Sequence, residues 1–192
     1  MKFINKNTIK VDKVLNELDK LVLGFIGILK KYADYVIVSG YVAILLGRSR
    51  ATEDVDIFIK ELGKAGFILL YTDLQKHGYW CLNGEDENEL YQYLHDRLAL
   101  RFAMKNEIVP NFEVKLAKRK LDYAAFEDRI TVSMPKGSIF ISSLERQIAY
   151  KRYYLKSDKD IEDAVHIEKL FKEHLDTKKI LAYKKLIEHE MA

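Results

Sequence analysis

Two aspartates one residue apart, Asp54 and Asp56, are the side chains in this sequence best placed by type and spacing to do chemistry. They open a β-rich run, Asp54 to Ile59. In a strand, residues two apart point to the same face. At about 3.3 Å rise per residue their Cα atoms stand about 6.5 to 7 Å apart. Two carboxylates at that spacing can hold a pair of Mg²⁺ ions around a transferring phosphoryl group. Like charges side by side are unfavourable unless a cation joins them, so the pair points to a metal site. Upstream, a short β-rich run, Tyr35 to Val38, ends at Ser39-Gly40. A short helix follows, Tyr41 to Leu46, stopped by Gly47. Glycine lets the backbone come close to a ligand, and free N–H groups at a helix start favour phosphate. Either feature alone is common; the ordered set of strand, glycine turn, helix and acid-led strand is far more specific.

That set, Val36 to Ile59 (VIVSGYVAILLGRSRATEDVDIFI), resembles the signature of the minimal nucleotidyltransferase group within the DNA polymerase β-like superfamily. Arg50, Thr52, Asp54 and Asp56 match its Arg-x-Thr-x-Asp-x-Asp segment residue by residue. Ser143-Leu144-Glu145, Lys151, and Lys159-Asp160-x-x-Asp163 are similar to C-terminal elements of its AbiEii-like toxin branch. The match covers about a third of the chain. Tyr41 departs from the pattern, because the family carries Ser or Gly after the turn glycine, whereas here Ser39 precedes Gly40.

The resemblance implies metal-dependent transfer of a nucleoside monophosphate from an NTP to an acceptor hydroxyl, on RNA, tRNA or protein, and a toxin-like role with a cognate antitoxin. Asp54 and Asp56 would bind Mg²⁺ (or Mn²⁺). A third carboxylate on a neighbouring strand is assigned to Glu113, as metal ligand and proton acceptor, with a solvated edge-strand residue as the plain alternative. Lys115 shares the strand face of Glu113, and Asp122, in a helical-looking segment, is the weaker third acid. Ser39, Gly40 and Lys151 would hold the triphosphate, with Arg50 and Thr52 orienting the loop or the phosphates. Lys151 also stands out by pattern: Leu144, Ile148, Lys151 and Leu155 follow one helical stripe. A lysine on an apolar stripe either snorkels to solvent or has an anionic partner. Asp160 has a structural use in the first turn of a helix; Asp163 lies beyond it and is the better candidate for the nucleotide site, although both acids could instead brace Lys151 or Arg50. A non-catalytic nucleotide- or partner-binding member of the same fold, regulatory or antitoxin-like, is the alternative function.

The elements that must position these residues follow from periodicity. Val14, Leu18, Leu21, Phe25 and Ile28 predict a helix over Val11 to Tyr32. Helices are also expected over Leu62 to Gln75 and Glu87 to Leu98. Leu98 to Ala103 and Asn111 to Ala117 are expected as paired strands, and Ile130 to Met134 with Ser138 to Ile141 as a hairpin over Pro135-Lys136-Gly137. Ser142-x-x-Glu145 and Ser157-x-x-Asp160 open helices running to about Lys156 and Glu173; a last helix spans about Thr177 to Glu190. The fold class is therefore α/β (α+β in stricter usage). A short mixed sheet is flanked by helices over residues 1–141, and a helical region over 142–192 packs on it.

The bulk of the sequence excludes other classes. With 192 residues, 48% hydrophobic and 32% charged, the chain suits one folded unit rather than disorder. A net charge of +3 is too small to argue for nucleic acid by itself. The single cysteine, Cys81, forms no internal disulfide and excludes a cysteine-rich zinc site; a reduced cytoplasmic setting fits. His77, His95, His166, His174 and His189 show no metal-ligand spacing. The longest apolar run, Leu21 to Leu29, is about half of what a spanning helix needs, so no membrane partner is expected.

Overall fold

The computed structural model describes residues 1–191. In chain order the strands are β1 (Lys2–Asn5), β2 (Thr8–Lys10), β3 (Tyr35–Ile37), β4 (Asp54–Ile59), β5 (Tyr79–Cys81), β6 (Leu100–Met104), β7 (Asn111–Leu116), β8 (Ile130–Met134) and β9 (Gly137–Ile141). The α-helices are α1 (Glu17–Leu29), α2 (Gly40–Leu45), α3 (Lys64–Lys76), α4 (Glu87–His95), α5 (Lys120–Glu127), α6 (Leu144–Tyr150), α7 (Asp158–Phe171) and α8 (Thr177–Met191). All nine strands join one mixed sheet in the order β1-β2-β8-β9-β3-β4-β7-β6-β5. The mixed α/β class expected from the sequence is what the chain adopts.

Strand β4 sits near the middle. It pairs antiparallel with β3 and parallel with β7, and its burial alternates residue by residue. Val55, Ile57 and Ile59 face inward, as do Phe112 and Val114 of β7. Helix α1 covers that face through Phe25, which stacks on Phe112 with ring centroids 3.9 Å apart. Each such fully buried side chain contributes about 1.5–3 kcal/mol. The opposite face carries Asp54, Asp56 and Phe58 on β4. Helix α5 covers only part of it, where Val36, Val38 and Phe58 meet Ala125 and Phe126. The acids therefore lie on the side of the sheet that the main core does not occupy.

Helix α1 begins at Glu17, six residues later than Val11. Asn16 and Asp19 form a reciprocal capping box that sets the start. Val11 instead continues alongside β8, its N–H donating to Ser133 O, and Val14 is 95% exposed. Strands β1, β2 and β5 were not expected. They are three or four residues long, too short to show a period. The cap of α6 is Ser143 rather than Ser142, whose hydroxyl accepts from Gln147. Helix α6 then widens into a π-helical turn, Lys151–Leu155, closed by Lys156 N donating to Lys151 O. Helices α7 and α8 pack against α6, and α7 also packs on α2.

Candidate active site

Sheet register assembles the acids. Parallel pairing of β4 and β7 sets Asp54 opposite Asn111, Asp56 opposite Glu113 and Phe58 opposite Lys115. Asp54, Asp56 and Glu113 thus share one face, the last two side by side on adjacent strands. Lys115, two residues beyond Glu113, reaches back over it: its Nζ lies 2.8 Å from Glu113 Oε2 and 3.3 Å from Asp56 Oδ1. Arg101 of β6 donates to the other oxygen, Glu113 Oε1, at 3.2 Å. Asp54 receives the Thr52 hydroxyl, which bonds its carbonyl oxygen at 3.0 Å and its Oδ1 at 3.4 Å.

The electrostatics follow from this packing. Burial pushes the Asp56 carboxyl up to about 6; Lys115 opposes the shift, while Glu113 and Asp54 reinforce it. Glu113 is partly buried as well, but its bonds with Lys115, Asp56 and Arg101 outweigh that and hold it below the usual carboxylate range. Lys115 is burdened by desolvation, yet the two acids hold its ammonium above the ordinary lysine value. Near neutral pH the pair is ionised around a protonated lysine.

The turn before α2 has two separate constraints. Ser39 has φ 64° and ψ −134°, a left-handed backbone rare for a residue with a side chain, and its hydroxyl makes no capping bond. Gly40 leaves room for Arg50: a Cβ there would come within 2.6 Å of Arg50 Nη2, which would have to shift from its place against Asp163, and 3.5 Å of Thr52 Oγ1. The turn and the Arg50–Thr52 segment are therefore in direct contact. Tyr41, the departure from the family pattern, is buried and donates its hydroxyl to Asp19 Oδ1 at 3.0 Å. It is a core residue.

Lys151 lies in a second cluster. Its side chain is 0% exposed, and its Nζ is bound by Asp160 Oδ1 at 3.1 Å and Asp163 Oδ2 at 2.9 Å. Asp163 in turn receives the Arg50 guanidinium through Nε at 3.2 Å and Nη2 at 3.0 Å, a bidentate fork. Arg48 approaches Asp163 at 3.5 Å and pairs with Glu162. The Ser157 hydroxyl bonds Asp160. A phosphate would reach Lys151 only by displacing one of its two carboxylates. The π-helical turn begins at Lys151 itself.

Asp122, the weaker third acid, is committed elsewhere. It is 4% exposed, accepts from Arg119 N at 3.0 Å at the start of α5, and pairs with the Arg119 guanidinium at 2.9 Å. Arg101 and Arg48 were not singled out by sequence, because only cross-strand and helix–loop contacts bring them to these acids. Trp80 is 38% exposed with its indole N–H on Glu107 O, and Cys81 is buried. A cleft of about 420 Å³ opens between the β1–β2 turn and the starts of α6 and α8, and none of the site acids lines it.

The donor set suits a hard cation, being oxygen only. Asp54 and Asp56, on one face of β4, are the residues that could hold a divalent ion. Among the described residues, however, no three His, Cys, Asp or Glu side chains converge as a ready metal cluster. The ammonium of Lys115 stands between Asp56 and Glu113 instead.

No family model matches the chain, and no curated protein matches its sequence. Solved structures do match. One is an antigenic nucleotidyltransferase-like protein from Paracoccidioides brasiliensis, with a TM-score of 0.51 and 16% identity over 88% of this chain and 85% of that one. Another is ANT(2")-Ia in complex with adenylyl-2"-tobramycin, with a TM-score of 0.55 and 15% identity over 90% of this chain and 98% of that one. The fold is nucleotidyltransferase-like. At these identities the likeness concerns architecture. Among the described residues no helix is long and apolar enough to cross a membrane.

Proposed function

We propose that the chain is a metal-dependent nucleotidyltransferase, moving a nucleoside monophosphate from an NTP to an acceptor hydroxyl. The observation that carries this reading is the register that sets Asp56 beside Glu113, on the strand that Asp54 opens. A bound divalent ion would screen the phosphates and polarise the α-phosphorus. Asp54 and Asp56 are the residues to hold it. Glu113 stays ionised at neutral pH, as a proton acceptor must. It takes the hydroxyl proton while the acceptor oxygen forms its bond to the α-phosphorus and the bond to pyrophosphate breaks.

Ser39 and the Gly40 backbone, at the start of α2, would receive the phosphates. Arg50, held by Asp163 against the turn, is the adjoining cation. Lys151 contributes to the triphosphate site by fixing Asp163, and through it Arg50. The resemblance to AbiEii-like toxins favours an RNA, tRNA or protein acceptor and a cognate antitoxin as partner. ANT(2")-Ia, whose solved complex holds adenylyl-2"-tobramycin, makes a small hydroxylated acceptor the arm to test beside them.

A second reading, nucleotide binding without transfer, is favoured by one observation: Lys115 already neutralises part of the acid pair. The test incubates the protein and Asp56→Asn with each α-labelled NTP, Mg²⁺ and either total RNA, total protein or an aminoglycoside. Transfer of label by the wild type, lost in Asp56→Asn, is expected. NTP binding with no transfer to any acceptor would support the second reading. Neither binding nor transfer would overturn both.

A further inference from the structure

We infer that Lys115 serves as a built-in cation of the acid cluster, so that the site takes one divalent ion with its NTP rather than two. The inference rests on the nucleotidyl-transfer reading of Asp54, Asp56 and Glu113.

Two-ion phosphoryl-transfer sites keep their cations about 3.5–4 Å apart, so that both the attacking and the leaving oxygens are stabilised. One of those positions would lie between Asp56 and Glu113, the residues that the β4–β7 register sets side by side. In this chain Lys115 Nζ is already there, within 2.8 Å of one carboxylate and 3.3 Å of the other. Its placement is dictated by the strand. Glu113 and Lys115 share a face of β7, so the lysine arches over the glutamate and meets Asp56 diagonally across the ladder. Arg101 satisfies the outer oxygen of Glu113, which leaves that carboxylate no oxygen without a cationic partner. By contrast, among the described residues no basic group comes within salt-bridge distance of Asp54, whose side chain receives only the Thr52 hydroxyl. The unmet negative charge is therefore concentrated on Asp54 and the second oxygen of Asp56. One ion bound there would be shared with the triphosphate.

Lys115 is a positioning residue in this account. It keeps Asp56 and Glu113 together when no ion is present, and it presents a fixed positive charge beside the oxygen from which Glu113 removes a proton. Its charge also repels an incoming cation, so ion binding depends on the oxygens that the nucleotide brings.

The experiment counts bound Mn²⁺ by electron paramagnetic resonance, with and without a non-hydrolysable NTP, in the wild type, Lys115→Met, Lys115→Arg and Asp56→Asn. The wild type is expected to bind one ion per chain with NTP. Lys115→Met should bind two, and its NTP-free affinity should rise about tenfold, the lower end of what removing a unit charge some 4 Å away does in a half-exposed site. Lys115→Arg, which keeps the charge, should stay at one. Two ions in the wild type, or one in Lys115→Met with unchanged affinity, would overturn the inference and leave the transfer reading standing. No ion in any variant, or equal binding in Asp56→Asn, would overturn the transfer reading itself. A thermal melt of Lys115→Met confirms folding, and Lys115→Gln repeats the count if Met at this half-exposed position lowers the melting point.

Discussion

The two charge clusters both draw on the segment from Arg48 to Asp56, yet they are built in opposite ways. The cluster around Lys151 is closed at its centre and balanced: Lys151 and Asp163 have no exposed side-chain surface, and three cations, Arg48, Arg50 and Lys151, meet three acids, Asp160, Glu162 and Asp163, with all three cations converging on Asp163. The cluster on β4 and β7 is open and unbalanced, with Asp54, Asp56 and Glu113 facing Lys115 and a half-exposed Arg101. A balanced network has satisfied its charges with its own residues, and its part in the proposed site is to hold Arg50 in position. An open network with surplus acid keeps part of its charge for something that is not protein. Under the proposed function the contrast leaves architecture to Lys151 and chemistry to Asp54 and Asp56, although all three are equally conspicuous charges along the chain.

The largest expected effect tests the closed cluster. Lys151→Met should lower unfolding free energy by about 3 kcal/mol, because it leaves the buried Asp160 without its cation and takes one of the cations from Asp163, which keeps Arg50. Urea denaturation reads this directly. The direction is opposite to that expected for a lone lysine on an apolar stripe, where the change relieves a buried charge. An unchanged or raised stability would mean that the two clusters are alike after all.

The open cluster should respond the other way. Asp54→Asn with Asp56→Asn should melt in EDTA at or slightly above the wild-type temperature, since it removes mutual repulsion in the metal-free protein. The gain is expected to be no more than about 1 kcal/mol, because Lys115 loses a partner in the same change. A melting temperature several degrees lower would make these carboxylates structural.

The most graded effect sharpens the comparison through pH. Burial sets Asp56 near 6, so below that value the carboxyl is protonated and cannot ligate. Mn²⁺ affinity measured by calorimetry should be flat near pH 7.5 and fall by up to about tenfold per unit below pH 6. The sign for folding is reversed. A carboxyl whose folded value lies above its unfolded one of about 3.9 gains stability on protonation, so the Asp56 contribution to apo stability grows as pH drops from 7 to 5. Affinity that stays constant down to pH 5 would remove Asp56 from the metal site.

Much of this was legible in the residues and some was not, for identifiable reasons. The bounds of β4 and of the β8–β9 region follow from period-two patterning and turn chemistry, and the structure places them there. The Asp54/Asp56 face needs only strand geometry. The identity of their neighbours needs the β4–β7 register, which no local pattern encodes; Lys115 was visible as a companion of Glu113 but not as a partner of Asp56. The apolar spacing from Val14 was misleading, because the Asn16 and Asp19 capping box starts the helix inside it. The stripe through Lys151 did signal a buried charge. That Asp160 and Asp163 answer it from the next helix depends on the turn of chain between α6 and α7, which only packing determines.

The turn at Ser39 has a consequence for how this protein would respond to selection. A side-chain-bearing residue held at φ 64° and ψ −134° carries a backbone cost of about 1–3 kcal/mol that glycine would escape. The neighbouring Gly40 leaves room for Arg50, and the positive φ falls on Ser39 rather than on this glycine. A population selected for heat tolerance alone would therefore drift toward glycine at position 39. One that must keep a hydroxyl at the mouth of α2 would stay where this sequence is, less stable than its fold allows.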